Sequence, residues 1–424
     1  MEEPTAETTT ASASGPVGRL RTDLRALLNR AEAASPVEAI DVMADELAAM
    51  LGADDLCFMI MDLSGRAVAR FGGIDANAAR AQQDGARHAP VVPLPGTVYE
   101  KVLRSQRPEV RADGAGKHTL IVPVTDRGDA MGVIEMTVPW APTERDVAEV
   151  QECARALAYV VVGCRRYTDL FEWAQRSLPF SLAAEIQRRL LPAAFTCEAD
   201  QLTVSGWLEP ANAVGGDTFD YSLDRDTLHV SITDAVGHDV HAAMLATLLV
   251  GSLRNGRRRE QGLLEQAAAA NDALAAHSGP GDFVTGQLVR VDRHTARMSI
   301  INAGHPFPYR VHGGVVDRVE LSIDMPFGLQ PGRSFTYQEV ELRVGDRIAL
   351  VTDGVLERNA ATLEIAALLA DTADRHPREV VYTIGDEVLR ATGGDLRDDA
   401  TIVCIDWNGG PVSGREATRL DGTS

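Results

Sequence analysis

The spacing of apolar residues changes along this chain. Up to about residue 165, segments with an apolar residue at every third or fourth position alternate with short apolar runs bounded by turn residues. The predicted elements are a helix over 35–51, strands over 56–61 and 67–71, a helix over 97–104, and strands over 119–124 and 131–138. This order predicts a small α/β domain over residues 18–165, preceded by a polar, disordered N-terminus over residues 1–17.

One predicted helix is longer than a small domain can cover. Thr143 can cap it, and apolar residues then keep a seam on one face as far as Pro179. At 1.5 Å per residue, this helix would be roughly 50 Å long. The seam is interpreted as a signalling helix that joins two copies of the chain in a homodimer. The alternative is an ordinary domain helix that breaks near Gly163 and packs on its own sheet.

A second amphipathic segment follows the long helix. Phe180–Leu191 places Leu182, Ile186 and Leu190 on one predicted face. Together with the end of the long helix, this segment makes residues 166–192 a region of linker helices.

From Leu202 to Asp406 the pattern becomes one of short strands interrupted by helices. The predicted strands lie at 204–208, 228–233, 283–291, 296–302, 308–312, 336–342, 347–352 and 400–406, and the helices at 241–255, 263–276, 362–369 and 377–391. Many antiparallel strands with inserted helices predict an α+β sandwich. We assign residues 193–407 to this domain and residues 408–424 to a disordered tail.

Composition and charge narrow the classes of partner. The formal net charge of -20 and the pI of about 4.9 argue against non-specific binding to nucleic acid or to an anionic membrane. The five cysteines are scattered without a CxxC pair, which favours a reducing compartment over a disulfide framework or a zinc site. The start is acidic and polar, and no apolar run approaches the ~20 residues that span a bilayer. We therefore expect a cytoplasmic protein with no nucleic-acid or membrane partner.

Aspartates recur beside strand-like runs in the second half of the chain. They are Asp217 in VGGDTFD, Asp234 in TDAVGHD, Asp353 in TDGVLE, and Asp398 and Asp399 in RDDATIV. Hard divalent cations such as Mg²⁺ and Mn²⁺ prefer oxygen ligands, usually carboxylates and waters. A single aspartate in a turn is usually solvated, so local rules alone only suggest a metal site.

Longer motifs point to a family. Eight features occur in one order over residues 180–406: IQRRLLP, AVGGDTFDY, TDAVGHDVHAAMLATLL, FVTGQLVRVD, NAGHPFPY, MPFGL, VGDRIALVTDGVLE and RDDATIV. In this order they resemble the SpoIIE/RsbU branch of the PPM-type metal-dependent protein serine/threonine phosphatases. The resemblance implies an α-β-β-α sandwich with two divalent cations, Mn²⁺ or Mg²⁺, at one end. The first domain resembles a GAF sensor domain, which implies an unknown small-molecule or protein signal.

The family's site residues carry over motif by motif. The resemblance implies that Asp217 lies beside the metals and that Asp234 bridges them, while Ala235 offers its backbone carbonyl. Asp353 and Asp398 complete the predicted site, which would act through a metal-activated water and without a protein nucleophile. Asp399 is the weaker ligand candidate of the DD pair, and the alternative is a place next to the ligand set.

Several neighbouring residues have two readings. The resemblance does not supply the general acid: the offset of His238 from Asp234 does not match the acid histidine of eukaryotic relatives, so His238 is interpreted as non-catalytic in preference to a general acid. His305 in NAGH is interpreted as structural. Asp239 stands where the family usually has glycine, which places an additional charge near the predicted metals. The run Arg257–Arg259 is interpreted as a solvated helix end in preference to a phosphate clamp. Four residues of the second motif are predicted to be core: Met244, Leu245, Leu248 and Leu249.

The resemblance implies a metal-dependent phosphoserine/phosphothreonine protein phosphatase under sensory control. Its expected substrate is a phosphorylated anti-anti-sigma factor of the STAS type in a partner-switching pathway. The alternative is a catalytically weak dimeric scaffold that docks a regulatory partner.

Overall fold

The structure is a computed structural model, and it describes residues 23–73, 91–176, 181–211, 215–237, 239–356, 364–394 and 396–410. The predicted disordered ends lie outside these residues, apart from residues 408–410. The chain divides into two compact units. The first comprises Met1–Asp62, Arg66–Asp126 and Met131–Ser177, and the second Leu63–Gly65, Arg127–Ala130 and Leu178–Ser424.

The first unit is a sheet covered by helices. Its described helices are α1 (Leu24–Ala33), α2 (Ala39–Leu51), α3 (Val98–Ser105), α4 (Glu144–Cys164) and α5 (Leu170–Ala174). Its described strands are β1 (Asp55–Met61), β2 (Ala67–Gly73), β3 (Val91–Pro93), β4 (Glu109–Ala112), β5 (His118–Asp126) and β6 (Asp129–Val138). Among the described residues they form a six-stranded sheet in the order β3-β2-β1-β6-β5-β4.

The predicted hairpins of this unit are present. β1 and β2 pair antiparallel across a turn in which the Asp62 carboxylate accepts hydrogen bonds from the N–H groups of Arg66 and Ala67, each at 3.0 Å. Alternate residues of β1, such as Phe58 and Ile60, enter the core with side chains of α1, α2, α4 and α5. The α/β organisation is therefore as predicted, while the GAF-like identity of this unit stays a prediction.

The prediction of one continuous helix from Thr143 to Pro179 is wrong. α4 begins after Thr143, whose side chain forms a capping box with Asp146, but the helix ends at Cys164. The next helix begins at Leu170, where the Thr168 hydroxyl accepts the N–H of Leu170 at 3.1 Å. Seam residues such as Leu157 are buried in the core of the first unit. The alternative prediction, a break near Gly163 and packing on the unit's own sheet, is confirmed.

The second unit contains two sheets. Its described helices are α6 (Leu182–Leu190), α7 (Val240–Arg258), α8 (Leu263–His277), α9 (Ile365–Asp371) and α10 (Pro377–Thr392), with a 3₁₀ turn at Asp353–Val355. One described sheet has five strands in the order β15-β12-β11-β10-β9, namely Gln338–Glu341, Arg297–Ala303, Val284–Asp292, Thr227–Ala235 and Asp217–Leu223. The other has six in the order β14-β13-β16-β17-β8-β7, namely Val315–Arg318, Tyr309–His312, Asp346–Val351, Ala400–Trp407, Leu202–Glu209 and Thr196–Ala199.

Three apolar layers show how these elements stack. The inner layer joins the two sheets, with Phe219, Val230 and Ile300 from one and Val204 and Val403 from the other. A second layer packs α7 and α8 on the outer face of the five-stranded sheet, and a third packs α9 and α10 on the outer face of the six-stranded sheet. The second unit is therefore an α-β-β-α sandwich, as the sequence predicts.

In each of two helices of this unit, one residue predicted to be buried is exposed. On α6, the buried face is formed by Ala183, Gln187 and Leu190, while Leu182 is 67% exposed. On α7, Leu245 and Leu249 are buried as predicted, but Met244 is 57% exposed. Apolar spacing identified both helices correctly and assigned one residue of each to the wrong side.

Within the described parts of the chain, every helix is too short or too polar to be a candidate for crossing a membrane.

Candidate metal centre

Two of the predicted aspartates face each other across neighbouring strands. Asp217 opens β9, Asp234 is the penultimate residue of β10, and the antiparallel register places them directly opposite one another. Asp217 is buried and Asp234 is half-buried. Like charges directly opposite each other destabilise a sheet, so this pairing costs stability unless something neutralises it.

Threonines of the other sheet fix the Asp217 carboxylate. Its Oδ2 atom accepts hydrogen bonds from the hydroxyls of Thr352, at 2.8 Å, and Thr401, at 2.6 Å. Thr352 directly follows β16 and Thr401 lies in β17, and the Thr401 N–H donates to the Thr352 hydroxyl at 2.9 Å. The carboxylate on the five-stranded sheet is thus held by threonines at the ends of β16 and β17, two central strands of the six-stranded sheet. These strand ends lie at one end of the sandwich.

The remaining three aspartates lie next to the ends of β16 and β17. Asp353 opens the 3₁₀ turn after β16 and is exposed, while Asp398 and Asp399 directly precede β17. Asp398 is half-buried, and its Oδ1 accepts the N–H of Asp399 at 2.9 Å.

Asp399 is buried and its carboxylate is occupied by hydrogen bonds. Oδ1 accepts the N–H of Ala211 at 2.7 Å, and Oδ2 accepts the side-chain amide of Gln187 at 2.8 Å and the N–H of Asp217 at 3.3 Å. This carboxylate therefore binds backbone and amide donors, and its place in or next to the ligand set stays a prediction.

Two glycines make this packing possible. A Cβ at Gly215 would lie 1.1 Å from Oδ2 of Asp399, and a Cβ at Gly216 would lie 2.1 Å from the carbonyl oxygen of Ala235. Any side chain at either position would displace the Asp399 carboxylate or the β10 backbone. The two glycines of VGGDTFD therefore leave room for the Asp399 carboxylate of RDDATIV and for the Ala235 carbonyl of TDAVGHD.

Burial and mutual repulsion raise the pKa values of this cluster. Burial first, then the charges of Asp234 and Asp399, raise the pKa of Asp217 well above its usual range. Burial first, then the charges of Asp353, Asp398 and Asp399, raise the pKa of Asp234 to about 7. Burial, with a contribution from Asp398, raises the pKa of Asp399 to about 6. The five aspartates therefore interact as one group.

The donor set fits hard divalent cations. It consists of carboxylate oxygens, and the Ala235 carbonyl lies against Gly216 beside them. Across the described residues, no group of three His, Cys, Asp or Glu side chains is placed so that it could hold a metal ion. The fit is therefore one of donor chemistry, and metal coordination by these residues belongs to the proposal below.

Two residues that follow Asp234 in the second motif, His238 and Asp239, have different outcomes. His238 lies outside the described residues. Asp239 caps α7, where its carboxylate accepts the N–H groups of His241 at 2.8 Å and Ala242 at 3.3 Å. The departure from glycine at this position therefore has a local role at a helix start.

His305 has the contacts of a structural residue. It is buried, its Nδ1 lies 2.9 Å from the Thr285 hydroxyl, and its backbone exchanges two hydrogen bonds with the Asn302 side chain. Burial lowers its pKa to about 3, so the ring is neutral at pH 7 and has no proton to give as an imidazolium.

The arginine run is only partly a solvated helix end. Arg258 and Arg259 are exposed, but Arg257 donates to the buried Asp220 carboxylate, which also binds Arg254. A cavity of about 740 Å³ lies beside them, lined by residues 191–194, 220–224, 229, 254, 257 and 258. None of the five aspartates of the cluster lines it.

Comparison with known proteins finds a family similar to part of the second unit. Residues 224–408 match the family described as Stage II sporulation protein E (SpoIIE), and the matched segment includes Asp234, Asp353 and Asp398. The match shows that this segment is similar to SpoIIE. The matched segment begins after Asp217, which the structure nevertheless places opposite Asp234.

Two curated proteins are similar to about half of the chain. Protein IcfG of Synechocystis sp. is 24% identical over 257 residues, which cover 52% of this chain and 40% of IcfG. Phosphoserine phosphatase RsbU of Bacillus subtilis is 21% identical over 234 residues, which cover 53% of this chain and 68% of RsbU. The chain thus spans less than half the length of IcfG.

A similar solved structure contains the RsbU and RsbW domains of Rv1364c from Mycobacterium tuberculosis. It is 25% identical, with a TM-score of 0.44, over 52% of this chain and 63% of that one.

Sequence reasoning missed the residues that hold the aspartates. Thr352 and Thr401 stand inside the quoted motifs, directly before Asp353 and two residues after Asp399. Gln187 stands in IQRRLLP, as a polar residue on the buried side of an amphipathic helix. The available signal was a polar residue on the buried side of a helix. It was not recognised because the buried face of α6 had been assigned to Leu182, Ile186 and Leu190.

Proposed function

We propose that this protein is a Mn²⁺- or Mg²⁺-dependent phosphoserine/phosphothreonine protein phosphatase under sensory control. The observation that carries the proposal is the convergence of five aspartates from both sheets, with Asp217 directly opposite Asp234 and the charges of Asp353, Asp398 and Asp399 adding to burial in raising the pKa of Asp234. Clustered carboxylates that repel one another are stabilised by bound cations.

In this proposal, Asp217, Asp234, Asp353, Asp398 and the Ala235 carbonyl hold two divalent cations. When bound, the cations supply water activation and charge neutralisation for hydrolysis of a phosphate ester. Other residues of the chain position these ligands. Thr352 and Thr401 orient the Asp217 carboxylate, and Asp399 holds the backbone N–H groups of Ala211 and Asp217.

The proposed substrate is a phosphorylated STAS-type anti-anti-sigma factor in a partner-switching pathway. Its support is the similarity to RsbU, which is named a phosphoserine phosphatase. The first unit, as a GAF-like sensor for an unknown small molecule or protein, is the proposed source of regulation. A homodimer and a cytoplasmic location complete the proposal.

The test is dephosphorylation of phosphorylated STAS-domain proteins by the purified full chain, with and without Mn²⁺. We expect turnover only with metal. Asp234→Asn and Asp353→Asn should each lower kcat by at least about 10²-fold, the scale seen when a preorganised electrostatic group is lost.

Asp226→Asn is the matched control. Asp226 is exposed, pairs with His294, and lies just before β10 at the end opposite Asp234. It should keep wild-type activity. Full activity in both Asp234→Asn and Asp353→Asn would refute the metal-site assignment, and tight STAS binding without turnover at millimolar Mn²⁺ would favour the scaffold alternative.

A further inference from the structure

Gln187 connects α6 to the aspartate cluster. It is buried on the inner face of α6, and its side-chain Nε2 donates to the backbone carbonyl of Asp217 at 2.7 Å and to Oδ2 of Asp399 at 2.8 Å. A glutamine amide has two N–H donors, so both are used.

These two bonds close a ring with a third. The N–H of Asp217 also donates to Oδ2 of Asp399, at 3.3 Å. Gln187 and Asp399 together therefore bind both the N–H and the C=O of Asp217. The Asp217 carboxylate is fixed separately by Thr352 and Thr401, so backbone and side chain of this residue are each held by their own partners.

The same helix is fixed a second time, at its C-terminal residue. A side-chain N–H of Arg254, on α7, donates to the backbone carbonyl of Leu190, the last residue of α6. Arg254 also pairs with the buried Asp220 carboxylate, which lies in β9 three residues after Asp217. α6 is thus held against β9 at two points in its C-terminal half.

We propose that Gln187 is a positioning residue of the metal site, and that α6 belongs to that site. The inference rests on the proposed metal-dependent function and adds to it a residue outside the predicted catalytic domain. Hydrogen-bonding partners of ligating side chains set metal affinity, and their loss typically costs 10–100-fold. Gln187 fixes the backbone of Asp217 directly, and it holds the Asp399 carboxylate that binds the N–H groups of Ala211 and Asp217.

The test uses full-length protein with Gln187→Met, which removes both donors and keeps the side-chain length. Three quantities are measured: Mn²⁺ affinity by titration calorimetry, hydrogen exchange of the Ala211 and Asp217 amides in EDTA, and kcat as a function of Mn²⁺ concentration. We expect Mn²⁺ affinity to fall about 10–100-fold and both amides to exchange faster. kcat should recover at saturating Mn²⁺, because Gln187 does not touch the substrate.

Gln266→Met is the matched control. Gln266 is also a buried glutamine on a helix of this unit, but its amide donates to the Gln261 carbonyl at 2.7 Å. It should leave Mn²⁺ affinity and the two amides unchanged. If Gln187→Met does not fold, Gln187→Asn gives the same measurement, since it keeps the amide and is too short by one methylene to reach.

The outcomes separate this inference from the proposed function. Wild-type Mn²⁺ affinity and unchanged exchange in a folded Gln187 variant would overturn the inference and leave the phosphatase proposal standing. A wild-type protein that neither binds Mn²⁺ nor hydrolyses phosphoprotein would overturn both.

Discussion

At the scale of single residues, the aspartate cluster is a cost that the metal-free fold carries. Asp217 and Asp399 are buried, and Asp234 stands opposite Asp217. Burial without compensation disfavours the charged form of a carboxylate, and nearby carboxylates disfavour it further. Hydrogen bonds from Thr352 and Thr401 offset part of this cost for Asp217, since they favour its charged form.

The raised pKa of Asp234 predicts how metal-free stability depends on pH. An unfolded aspartate has a pKa near 3.8 and the folded one about 7, so between these values the folded state binds more protons. Stability from this group therefore falls as pH rises from about 4 to 7. In EDTA, Asp234→Asn should stabilise the second unit more at pH 8 than at pH 5, by about 1–3 kcal/mol, since each pKa unit corresponds to about 1.4 kcal/mol.

Urea unfolding at the two pH values measures this difference. Asp226→Asn, an exposed aspartate at the other end of the hairpin, should show no such pH-dependent gain. An equal effect of Asp234→Asn at pH 5 and pH 8 would contradict the raised pKa. Added Mn²⁺ should reverse the sign at pH 8, because the variant loses a proposed ligand.

The candidate site was predictable only in part. The five aspartates were found because their motifs resemble a family, and the fold indeed brings them to one end of the sandwich. The partners that hold them were not found. Threonine hydroxyls and a glutamine amide are common in any sequence, and only the three-dimensional packing shows that Thr401 and Gln187 reach Asp217.

At the scale of elements, the seam of α4 shows what periodicity can and cannot decide. Apolar spacing predicted a helix here, and Thr143 its cap, but it extended the helix well past its end at Cys164. It could not tell whether the seam faces a second copy or the unit's own sheet, because both partners demand the same spacing. β9 was missed for a related reason: DTFDYSL is polar at most positions and is a strand because β10 pairs with it.

Substitutions on two sides of α4 test its role. Leu157 is buried in the core of the first unit, and Tyr159 is 62% exposed. Leu157→Ala should lower the free energy of unfolding by about 2–5 kcal/mol, the usual cost of a core cavity. Tyr159→Ala, the control on the same helix, should change it by less than about 0.5 kcal/mol. A dimer that dissociates on Leu157→Ala without loss of stability would instead support the seam as an interface.

At the scale of the whole molecule, the boundary between the units decides what can function alone. The sequence placed the catalytic domain at residues 193–407 and treated α6 as part of a linker. In the structure, α6 supplies Leu190 to the layer under α7 and Gln187 to the aspartate cluster. Both residues lie outside the predicted domain, because apolar periodicity marks a helix and says nothing of what a polar residue on it will bind.

Two fragments test where the catalytic unit begins. Residues 178–410 retain α6 and both sheets, and we expect this fragment to unfold cooperatively and to bind Mn²⁺ with the affinity of the full chain. Residues 193–410 lack Gln187 and Leu190, so the fragment should melt at a lower temperature and bind Mn²⁺ at least about 10-fold more weakly. Calorimetry and thermal melts compare them, and light scattering of each fragment and the full chain reports oligomeric state. Equal stability and Mn²⁺ affinity of the two fragments would show that α6 is a linker after all. A full chain that is dimeric while residues 178–410 are monomeric would place the proposed homodimer contact in the first unit.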